Sequence, residues 1–149
     1  MPDSASRHEA LDQIAADAHA LRQRLRRTPT DGARVLTARI VEAQALAATA
    51  LHLFLDLERE PAHSQAHLLH LDQLARTAKT AQDASAELTT ALSRAVENEC
   101  RRRDATTSPP VFLRPTPQQF ITSAADLLDG LPPPRERPRP SAAPVPPAR

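Results

Sequence analysis

Residues 33–104 read ARVLTARIVEAQALAATALHLFLDLERE, then Pro61, then AHSQAHLLHLDQLARTAKTAQDASAELTTALSRAVENECRRRD, and what this stretch lacks decides the fold. It contains no glycine, and Pro61 is its single proline. Proline ends helices because its ring clashes with the preceding turn and its N–H is missing, and glycine weakens them through backbone entropy. One interruption in so long a run predicts two long helices joined near Pro61. Twelve of the fifteen prolines crowd into residues 109–149, which predicts a proline-rich, mostly disordered tail there. The expected class is all-α: a long antiparallel helical hairpin with a shorter N-terminal helix, arranged up-down-up.

Hydrophobic spacing fills in that outline. Leu11, Ile14, Ala18, Leu21 and Leu25 alternate at steps of three and four, a seam with a period near 3.5 residues. Ser6-Arg7-His8-Glu9 has capping-box spacing, which places the start of this helix at Ser6. Thr28-Pro29 ends it and supplies a cap and first turn for the next. The second helix is expected to reach Arg59, with Leu36, Ile40, Ala43, Ala47, Ala50, Phe54 and Leu57 on one seam. Leu46, Leu51, Leu53 and Leu55 widen its apolar face, so it wants neighbours on more than one side. The third helix is expected over residues 62–104, about 64 Å at 1.5 Å per residue. Its centre carries Ala75, Ala78, Ala81 and Ala84, which allow close approach and bury little area.

The segments are thus a helical bundle over 1–104, a linker over 105–116, an amphipathic helix over 117–131 and a proline-rich tail over 132–149. Thr116-Pro117-Gln118-Gln119 resembles a capping box with proline in the first turn, and Gly130 stands at the far end. Between them Phe120, Ile121, Ala124, Leu127, Leu128 and Leu131 keep helical spacing. A helix this short is marginal alone in water, so it either covers the bundle or docks on a partner.

Folding the chain about Pro61 puts Phe54 near Leu68, and Leu46 near Leu74. Folding about Pro29 puts Leu11 near Ala47, so the first helix stops short of the hairpin tip. Large apolar residues make up 21 of the 99 residues 6–104, a thin core that needs further partners. The expected interface is Leu51, Phe54, Leu55, Leu68 and Leu71 of the hairpin, with Phe120, Ile121, Leu127 and Leu128 of the C-terminal helix. The expected partner is a second copy or another helical protein.

Composition narrows the chemistry. Net charge is +1, so no global field calls for nucleic acid or membrane. There is no Trp or Tyr to build a base-stacking platform. Two glycines preclude a glycine-rich phosphate loop, and no strand-turn-helix elbow presents a nucleophile. The expectation is a non-enzymatic protein without cofactor or small-molecule substrate. One cysteine, Cys100, leaves no intramolecular disulfide and no cysteine-based zinc site.

Residues 1–6 lack the basic start and apolar run of a signal peptide, and residues 43–57 are interrupted by Gln44, Thr49, His52 and Asp56. No stretch then reaches the ~18 apolar residues of a membrane span, and a soluble cytoplasmic protein is expected. His63, His67 and His70 share a helix face at metal-ligand spacing, with His52 near the level of His67, yet a solvated histidine row is the expected state. Arg22, Arg24, Arg26 and Arg27 gather with Arg34 and Arg39 at one end of the bundle, and Asp56, Glu58 and Glu60 at the other. The expected cause is helix-dipole complementation, which the arginines closing the first helix satisfy. The alternative is a nucleic-acid accessory protein gripping phosphates through residues 22–39.

Overall fold

A computed structural model describes residues 4–27, 32–61, 64–106 and 108–135. Among these the chain is all-helical: α1 (Ser4–Arg27), α2 (Ala33–Glu58), α3 (Gln65–Asp104) and α4 (Pro117–Asp129). The last residues expected in the proline-rich tail, 136–149, lie outside the described residues, as does the cap expected at Thr28-Pro29.

Local chemistry sets three of the four starts. Gly32 stands before α2 in extended conformation, so the helix starts at Ala33, four residues later than the Pro29 start expected. Ser64 caps α3 by accepting from the His67 N–H at 3.1 Å, so this helix begins beyond Pro61 rather than immediately after it. Thr116 and Gln119 form a reciprocal capping box at the head of α4, with Pro117 in its first turn. Ser6, expected to cap α1, lies inside that helix instead, because the backbone is already helical at Ser4.

α2 packs on α3, α3 on α4, and α1 on both α2 and α4, which closes a four-walled bundle around one core. The start of α1 meets the end of α2 through Arg7 and Glu60, and its last turns meet the first half of α2 through Arg24 and Glu42 at 3.0 Å. This corrects the register expected for α1. The helix reaches the hairpin tip, where the His8 and His70 rings meet edge to face at 5.7 Å, instead of stopping level with Ala47.

α4 folds back. Its Ile121, Ala124, Ala125 and Leu128 are buried in the same core as Leu21, Leu36, Leu74 and Leu88. Ion pairs tie its last turn to α1: Arg22 to Asp129 at 3.0 Å, and Arg26 to Asp126 at 2.6 Å and to Asp129. At its other end Phe120 lies under the Arg94 guanidinium, 6.0 Å from the ring centroid. Leu131 and Pro132 continue along Leu11 and Ile14 of α1 and Leu74 of α3.

Burial assigns the stabilising weight to this fourth wall. Leu128→Ala is expected to cost about 2–4 kcal/mol, the usual range for truncating a core leucine, read from urea unfolding followed by far-UV circular dichroism. A cost near that of an exposed site would mean that α4 is not docked.

Candidate functional site

The residues expected at an interface divide into two groups. Leu51, Leu55 and Leu68 are 42%, 50% and 48% exposed, and Leu69 joins them at 59%. Phe54 and Leu71 are half-buried and pack against the core. Ile121 and Leu128, expected on a partner-facing surface, are buried inside the bundle, with Phe120 and Leu127 half-buried beside them. The C-terminal helix turns its apolar side inward, where it packs on α1 and α3.

Leu51, Leu55 and Leu68 lie on the outer side of the hairpin, whereas Leu69, about 100° from Leu68 on the helix, turns towards the Arg94 side of α3. Glu42, Leu46 and Thr49 mark the flank of α2 that faces α1. At 100° per residue, Leu51 and Leu55 fall on the opposite flank, beside α3. Arg94 and Ala95 mark the flank of α3 towards α4. Leu68 and the exposed Ala75 turn away from that flank. Val41 and Ala48, both exposed, extend the strip along α2. The nearby charges neutralise one another: Arg76 with Asp72 at 2.8 Å, Lys79 with Asp83 at 2.6 Å, and Arg59 with Asp56 at 3.7 Å. What remains between them is an apolar strip at the hairpin tip.

Leu68, Leu69 and Leu71 crowd one turn of α3. Three leucines within four positions cannot all point inward. Leu74, Ala78 and Ala81 set the helix phase, which leaves Leu68 and Leu69 outside. The same phase corrects the histidine row. His67 is 5% exposed rather than solvated, with its Nδ1 3.7 Å from Glu60 Oε2. His63 lies outside the described residues, and among those described no three His, Cys, Asp or Glu side chains converge on a point.

Four of the six arginines at the basic end are ion-paired. Arg24 and Arg39 both hold Glu42, while Arg22 and Arg26 hold the carboxylates of α4. The Asp126 and Asp129 hydrogen bonds raise the Arg26 pKa above its ordinary value. α2 also corrects an expectation: by length and composition it is apolar enough to cross a membrane. Its apolar residues Leu36, Ile40, Ala43, Leu46 and Ala47 are those that α1 and α3 bury.

No known protein family, curated protein or solved structure matches this chain.

His70 generates a pH prediction. Burial, then the positive neighbours His8, Arg7, His67 and Arg135, lowers its pKa from 6.5; Asp12 is the carboxylate lining the same groove. The folded state therefore binds the His70 proton less well than the unfolded chain does. Its contribution is complete above pH 6.5 and is lost as pH falls below that value towards the lower folded pKa. Urea midpoints should drop between pH 7 and pH 5, and His70→Gln should flatten that slope; an unchanged slope in the variant would refute the assignment.

Proposed function

We propose that this chain is a non-enzymatic helical interaction module that associates with a second copy of itself, or with another helical protein, through Leu51, Leu55 and Leu68. The observation that carries this reading is the placement of three half-exposed leucines on one side of the α2–α3 hairpin, after α1 and α4 have covered the other sides. Contiguous exposed apolar surface is unfavourable in water and marks interaction sites on soluble proteins. Two antiparallel hairpins meeting on such faces form a four-helix layer, and a two-fold arrangement lets one patch serve both partners. α4 acts in this scheme as the cover of the opposite side.

Phosphate binding by residues 22–39 is the weaker reading. Arg22, Arg24, Arg26 and Arg39 already hold carboxylates, which a phosphate would have to displace. The full-length protein is accordingly expected to leave a heparin column at low salt, and retention into high salt would reverse this preference.

Glutamate at Leu51 and Leu68 together should halve the solution mass measured by light scattering, with helicity and thermal midpoint little changed. Refractive-index detection is needed because the chain has no Trp or Tyr. A wild-type protein that stays monomeric at high concentration would remove self-association, and would leave binding to another helical protein to be judged on the same variant. Phe54 and Leu71 are unsuitable for this test, since both pack on the core and their loss would unfold the monomer.

A further inference from the structure

α2 carries a second seam that its own chain leaves uncovered. Thr37, Val41, Gln44, Ala48, Leu51 and Leu55 alternate at steps of four and three, the spacing of a coiled-coil contact face. All six are exposed, on the flank away from the one that α1 covers. Leu68 of α3 extends this face at the hairpin tip. From residue 43 to residue 55 the helix has no Asp, Glu, Lys or Arg.

The charges at the two ends of α2 run against its dipole. A helix N-terminus favours carboxylates and a C-terminus favours cations. α2 has Arg34 and no acidic residue in its first turn, and Asp56 and Glu58 with no basic residue in its last. Arg59, just beyond the end, answers Asp56 at 3.7 Å. Arg34 and Glu58 have no ion-pair partner among the described residues.

A second α2 laid antiparallel on the seam satisfies both ends. It brings an acidic end beside each Arg34, whereas a parallel copy would set Arg34 against Arg34 and Glu58 against Glu58. The side chains agree with the charges. A two-fold axis through Ala48 places the smallest residue of the seam where the helices cross, and sets Val41 opposite Leu55 on either side. Arg34 then lies about 6 Å along the axis from Glu58 of the second copy, a gap that the long arginine side chain spans.

We infer, building on the association proposed above, that the occupant of this face is a second copy of the chain, packed with α2 antiparallel to α2 about a two-fold axis through Ala48. Leu51, Leu55 and Leu68 of one copy close over Val41 and Thr37 of the other.

Disulfide trapping in the full-length protein tests this geometry. Every variant also carries Cys100→Ser, which removes the native thiol, and copper phenanthroline in air is the oxidant. Ala48→Cys should form a covalent dimer about tenfold faster than Gln13→Cys, an exposed position on α1 that measures random collision. Val41→Cys and Leu55→Cys should each cross-link poorly alone and readily when mixed. In light scattering, Arg34→Glu should weaken association about fivefold, and Glu58→Arg in the same chain should restore it. Glutamate suits the head of α2, so this variant keeps its fold. Association of the wild type with no Ala48→Cys dimer above the Gln13→Cys rate would overturn this geometry and leave the association itself standing. Faster cross-linking of Val41→Cys to itself than to Leu55→Cys would mean a parallel pair and overturn it as well. A wild type that is monomeric at high concentration would overturn both the geometry and the self-association beneath it.

Discussion

The bundle depends on the close approach allowed by the small side chains at the centre of α3. Ala78, Ala81, Ala84 and Ala91 are all buried, with Ser85 and Thr77 beside them. Each buried methyl contributes little, about 0.8 kcal/mol per CH2-sized group, so this helix cannot be held by its own apolar area. It is held because its slim profile lets larger residues of its neighbours close over it: Leu36, Leu46 and Leu57 from α2, and Ile121 and Leu128 from α4. A helix with this composition needs a wall on each flank. That requirement explains why α4, separated from α3 by a proline-containing connection, returns to the bundle.

Charge then orients what burial holds. Arg7 with Glu60 and Arg24 with Glu42 set α1 along α2, and the Arg22 and Arg26 pairs with Asp126 and Asp129 set it along α4. The more exposed of these pairs contribute modestly to stability and more to alignment. They also use up much of the basic end, and the exposed leucines Leu51, Leu55 and Leu68 are left uncovered on the hairpin.

The parts of this fold legible in the sequence are those governed by local periodicity. The seam Leu11, Ile14, Ala18, Leu21 and Leu25 is the buried face of α1, and Leu36, Ile40, Ala43, Ala47 and Ala50 are buried on α2. Thr116 and Gln119 carry their own capping chemistry and are read directly. What escaped depends on distant partners. The register of α1 is set by partners such as Glu60 and Glu42 on α2, which proline positions alone do not reveal. The burial of His67 and the exposure of Leu68 follow from the phase fixed by Leu74 and Ala78. The resting place of α4 is decided by contacts such as Arg26 with Asp126, a hundred residues apart.

Amide hydrogen exchange on the full-length wild-type protein tests most directly whether α4 is a structural wall. If it is, the amides of residues 120–129 exchange through the same cooperative opening as those around Leu21 and Leu88, and their protection falls with urea along the same slope. Exchange of residues 120–129 within seconds, beside full protection of α1 to α3, would contradict the account and return α4 to the role of a free docking segment.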